Sequence, residues 1–176
     1  MPSLERRRAE DPYEKLPAVA AFDLRSDDLV DGEPMPLDQV DDSAGGRRVS
    51  PHLRWRGAPE GTRSYVVTCF DPDAPTPSGF WHWVVVDVPA AVTELGRGSD
   101  GELPGGAYSV ANDMGNRHYN GACPPEGDRP HRYLFVVHAV DVEELGVGAD
   151  ATPSVVSFAL ASHTLGRAQL VVTYGR

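Results

Sequence analysis

Three stretches of the chain are apolar almost without interruption: SYVVTCF (64–70), WHWVVVDV (81–88) and HRYLFVVHAVD (131–141). A strand with one wet face alternates apolar and polar residues. Unbroken β-branched and aromatic runs of this length predict strands covered on both faces, at the centre of a sheet. From AFDLRSDDLVDGEPMP onward, shorter apolar pieces are separated by Asp-Gly and Pro turns and predict short strands, with another around Leu53 and Trp55 after the Gly45-Gly46 loop. Near the C-terminus the period changes. Thr152 is suited to an N-cap and Pro153 to the first helical position, while Val155, Phe158, Ala159 and Leu165 recur at helical spacing. One amphipathic helix near 153–166 is predicted, after which AQLVVTYG returns to strand. The class is mainly β with a helix near the C-terminus.

Residues 1–16 alternate charge without period and read as a flexible tail, with Arg6, Arg7 and Arg8 solvated; residues 17–176 read as a single domain. The glycine- and proline-rich stretch between the second and third apolar runs exceeds about 30 residues with little periodicity, and loops that long in compact domains are usually functional.

A net charge of −10 disfavours nucleic acid and anionic membrane surfaces as partners, so an anionic ligand requires a local set of donors. Cys69 and Cys123 are too few for a disulfide framework, although one bridge stays open. Cys69 reads as a small buried apolar residue. The start MPSLERRRAEDPYEKLP has no apolar core of a signal peptide, and no run approaches the ~18 apolar residues of a membrane span. A cytoplasmic protein is expected.

Strand parity places the polar exceptions. Asp71 falls in line with Val67 and Cys69, His82 with Phe80, Val84 and Val86, and His131 with Tyr133, Phe135 and Val137, while His138 faces the other way. Three polar groups at the ends of three central strands describe a pocket. A lone histidine in such a strand is commonly a core residue bonded to a backbone carbonyl. A buried carboxylate needs a partner, however, and an imidazole beside Asp71 or Asp73 supplies one. Asp73 is expected to cap its own turn. Trp55 reads as a core anchor, and His52, His118 and His163 as exposed or half-exposed.

The motifs D-P-D-A-P (71–75), W-H-W (81–83), G-A-C-P-P-E-G (121–127) and P-H-R-Y (130–133), in that order, resemble the phosphatidylethanolamine-binding protein family, and most closely its bacterial and archaeal Raf-kinase-inhibitor-like branch. The resemblance runs from Phe22 to Tyr174. It implies a β-sandwich-like fold with a large antiparallel central sheet and flanking helices, a homodimer, and a small cavity for phosphate esters or phospholipid headgroups. That cavity would be lined by Asp71, Pro75, His82, His131 and Tyr133, with Phe80 at the rim, and closed by Tyr119, Gly121, the Cys123 backbone and Pro124. The Ala74–Pro75 bond would be cis.

In such a site His82, His131, Tyr133 and loop N–H groups would donate to the anion, and Asp71 would hold one imidazole protonated. No nucleophile elbow or P-loop occurs, so binding without turnover, with no cofactor and no metal, is expected. Two alternatives stand beside it. One is a zinc hydrolase using His82, His131, Asp71 and Cys123. The other is a protease or kinase inhibitor acting through loop 97–130.

Overall fold

The computed structural model describes residues 6–176. Residues 1–5 of the expected tail lie outside the described residues. Residues 6–16 lie along the domain, where the Arg132 guanidinium donates to the Ala9 carbonyl at 2.6 Å and the Tyr13 ring sits 5.7 Å from that of His138.

The three apolar runs form β4 (Ser64–Asp71), β5 (Phe80–Pro89) and β8 (His131–Val140). They lie together in a six-stranded sheet with β1 (Ala20–Ala21), β7 (Tyr108–Ser109) and β9 (Thr164–Tyr174), in the order β1-β9-β8-β4-β5-β7. Every pairing in it is antiparallel except the short β1 beside β9. A second sheet of β2 (Asp23–Arg25), β3 (Leu53–Arg56) and β6 (Glu94–Leu95) packs against one face.

Both faces of the large sheet are covered, which is why its central strands do not alternate. Tyr65, Val67, Cys69, Trp83, Phe135 and Val137 meet Leu53, Trp55 and Leu95 of the second sheet in one core. Val66, Val84, Val86 and Val140 form a smaller one on the opposite face, with Val156 and Leu160 of α1 (Pro153–His163).

The α1 cap is as predicted, with the Thr152 hydroxyl accepting from the Val155 N–H at 3.3 Å. The buried face differs. Pro153, Val156 and Leu160 face the sheet, whereas Val155 and Phe158 are exposed, and Leu165 belongs to β9. The helix ends at His163 because the chain passes directly into β9.

All described peptide bonds are trans, so the expected cis bond before Pro75 is not formed. The turn is secured by side chains, with the Asp73 N–H donating to Asp71 Oδ1 at 2.8 Å. Both cysteines are free, Cys69 buried and Cys123 exposed. His52, expected near the surface, is buried: its Nδ1 accepts from the Asp27 N–H at 2.9 Å and its Nε2 lies 3.0 Å from Glu94.

Candidate functional site

One end of the large sheet opens into a cavity of about 590 Å³. Asp71, Pro75, Phe80, His82, Gly121, Cys123, Pro124, His131 and Tyr133 all line it. Tyr119 does not. Its ring turns into the core against Trp83 and Phe135, and its hydroxyl donates to the Gln39 carbonyl at 2.8 Å, a satisfied position behind the wall.

His82 reaches the cavity through an irregularity in β5. Asp71 pairs with Phe80, Phe70 with Trp81 and Cys69 with Trp83, which leaves His82 as the extra residue of a bulge. A bulge re-aims one side chain and resets the alternation that follows. His82 therefore shares the cavity with Phe80 and sits 5.2 Å from the Tyr133 ring, while Val84 and Val86 pack on the opposite face, contrary to simple parity. Its Nδ1–H donates to the Asn120 carbonyl at 2.9 Å, which leaves Nε2 as an acceptor. Burial lowers the His82 pKa, only partly opposed by Asp71, so the ring is neutral.

His131 is held differently. Nδ1 lies 2.7 Å from Asp71 Oδ2 and Nε2 lies 2.9 Å from Asp128 Oδ2, with the imidazole fully buried. Burial opposes charge on the ring, but the two carboxylates outweigh it and raise the pKa. Asp128 in turn overcomes its own burial through His131 and Arg6, whose Nη1 stands 2.6 Å away, and its pKa falls. The shift runs in the expected direction, but both ring nitrogens face carboxylates, so neither is offered to a ligand. Arg6 adds a fixed positive charge, its Nη2 3.2 Å from His131 Nε2, and offsets the two carboxylates further.

Asp73 does not cap its own turn. Its Oδ2 takes the Arg132 N–H at 3.0 Å and the Arg132 Nε at 2.8 Å, tying the 71–75 turn to β8. These bonds overcome its burial and lower its pKa.

The remaining polar lining comes from Tyr133, which parity places beside His131, and from loop positions that parity does not reach. Asn120 has its side-chain oxygen engaged by Asn116 at 3.1 Å, and its Nδ2 is buried without a partner. The Tyr133 hydroxyl is also buried and unpartnered, and burial raises its pKa far above the ordinary phenol value. Arg48 closes the far side, 3.0 Å from Asp42. Asn112 organises the long loop by donating to the His118 carbonyl at 2.8 Å and accepting from the Met114 N–H at 3.0 Å. Among the described residues no three His, Cys, Asp or Glu side chains converge as a metal site.

Comparison with known proteins agrees with this geometry. The family model for the phosphatidylethanolamine-binding protein matches residues 25–175. The chain belongs to the phosphatidylethanolamine-binding protein family. Escherichia coli YbhB is 44% identical over 86% of this chain and 98% of its own. Escherichia coli YbcL is 42% identical over 89% of this chain and 88% of its own. The YbcL crystal structure, described as a new member of the mammalian PEBP family, superposes with a TM-score of 0.84 at 40% identity, covering 88% of this chain and 98% of that one. No helix among the described residues is long and apolar enough to cross a membrane.

Proposed function

We propose that the cavity at the end of the large sheet binds a small phosphate-type anion, a phosphate monoester or a phospholipid headgroup, and that the protein acts as a binding module without turnover. The observation that carries this reading is the pair of buried, unpartnered donors on the wall, Asn120 Nδ2 and the Tyr133 hydroxyl. Buried polar groups are costly unless bonded, so both favour an incoming acceptor. His82 Nε2 supplies the complementary acceptor, which suits the acidic hydrogen of a monoanionic phosphate monoester. His131 and Arg6 beneath the cavity offset the repulsion that Asp71 and Asp128 alone would exert.

The family resemblance supports the same ligand class and a homodimer, which light scattering of the purified protein would test. Calorimetric titration with phosphoethanolamine is the direct test of the site. Binding is expected in the wild type and lost in Tyr133→Phe combined with Asn120→Ala; unchanged affinity in that variant would refute the reading.

A further inference from the structure

On the opposite face of the large sheet lies a second hollow, of about 260 Å³, enclosed by α1, β9 and the segment 12–16. Its walls are largely hydrocarbon, with Leu16, Phe70, Trp81 and Leu160 the main contributors. His138 is set among them, only 4% exposed, with neither ring nitrogen bonded. Directly across the β8–β9 ladder is Arg167, which also lines the hollow and whose Nε is likewise buried and unbonded. The Arg167 guanidinium also sits 5.5 Å from the Tyr13 ring, whose hydroxyl is engaged by Thr68 outside the lining. Buried polar groups in folded proteins are ordinarily hydrogen-bonded, so His138 and Arg167, side by side on one wall of the hollow, form a receptor for a polar head.

We propose that this hollow is a second ligand site, taking a small monocarboxylate with an apolar body about the size of one aromatic ring. Arg167 Nε–H and one imidazole N–H of His138 donate to the carboxylate, and the body lies against Phe70 and Trp81. The charge of the head follows from the lining. Lys15 and Arg167 are its two cations, and no Asp or Glu stands among the described lining residues. Burial and the neighbouring Arg167 lower the His138 pKa to about 3, so this imidazole offers a hydrogen bond and no charge. Lys15 is exposed and screened by water, which leaves Arg167 as the one cation acting inside the hollow, so a single negative charge is matched and a doubly charged phosphate is not. The volume lies just below the ~300–1,000 Å³ of typical small-molecule sites, which restricts the body to about one ring.

The test is a titration of the full chain with phenylacetate, phenylacetamide and inorganic phosphate, followed by amide NMR. Phenylacetate is expected to shift the resonances around Tyr13, His138 and Arg167 and to bind at least about tenfold more tightly than the uncharged amide. Arg167→Gln, at a half-exposed position, should remove that preference. Ala161→Phe, which fills the hollow from the exposed helix, should abolish the shifts while phosphoethanolamine binding at the other face is retained. Equal affinity for acid and amide, shifts confined to the Asp71–His131 cavity, or a crystal structure grown with phenylacetate in which only waters bond His138 would each overturn the proposal.

Discussion

His131 Nδ1 lies 2.7 Å from Asp71 Oδ2, both groups buried, and this contact joins the end of β4 to the start of β8 beneath the cavity. It sets the charge state of the imidazole together with Asp128. Asp71→Asn keeps an oxygen for the Asp73 N–H but removes one of the two carboxylates. The His131 pKa should fall, read by histidine proton and carbon NMR across a pH titration. An unchanged value would mean that Asp128 alone holds the proton.

Arg6 joins the same cluster from the N-terminal segment. Its side chain is 30% exposed but that of Asp128 is 0% exposed, so Arg6→Ala removes a partner from a buried carboxylate that keeps only His131 as a side-chain partner, at a cost of about 1–3 kcal/mol of stability. It should also act electrostatically. The Asp128 pKa should rise and phosphoethanolamine affinity should weaken, because the floor beneath the cavity loses a positive charge. A purely structural contact would leave that affinity where it was.

Binding at the cavity should be sensitive to pH through the ligand. His82 is neutral and its Nε2 accepts, so the complex needs one proton, on the phosphate or on the ring. Phosphate monoesters lose their second proton near pH ~6. Affinity for phosphoethanolamine should therefore decline above that pH, approaching about tenfold per unit. A flat profile between about pH 6 and 8 would reject His82 as the acceptor of that proton.

Much of this architecture was legible in the order of residues, and the exceptions have physical causes. Unbroken runs such as SYVVTCF identified the doubly covered strands, because only a strand buried on both faces tolerates them. Asp71 and His131 followed from parity, which holds for β4 and β8 near the cavity. His82 entered the site through a bulge that parity cannot foresee, so its neighbours Val84 and Val86 were assigned to the wrong face. Asp128 and Asn120 were missed because they sit in loops, where no period announces the direction of a side chain. Phe158 was misplaced for a related reason: a helix this short carries apolar residues around its whole circumference, and spacing alone does not select the buried face.

His138 should leave a mark on the pH dependence of stability. Its pKa is lowered to about 3 by burial and by Arg167, against an ordinary value near 6.5. Below pH 6.5 the unfolded chain takes up a proton that the folded chain refuses, so this contribution is present above that pH and is lost as pH falls toward about 3. Urea denaturation at pH 7 and pH 5 should show the wild type losing about 2 kcal/mol more than His138→Leu between the two, following the linkage slope of ~1.4 kcal/mol per unit. Equal losses would mean that the imidazole protonates in the folded protein.

Gly121 tests how tightly the cavity wall is built. A Cβ there would meet the Asp41 nitrogen at 2.3 Å and the Val40 carbonyl carbon at 2.4 Å, both backbone atoms that cannot swing aside. The approach is close because Val40 and Ala122 form a bridge between their two segments, with the Asp41 N–H donating to the Ala122 carbonyl at 3.0 Å. Gly121→Ala must push these segments apart, at a cost of about 1–3 kcal/mol or more in thermal or chemical denaturation. The displacement would also carry Asn120 and Cys123 away from His82, so phosphoethanolamine affinity should fall in the fraction that stays folded. Gly115→Ala, in the same loop but with open space around its Cβ, should cost only the strain of its positive φ and serves as the control. If both variants lose the same stability and the same affinity, the close contact with Asp41 is not what holds the wall in place.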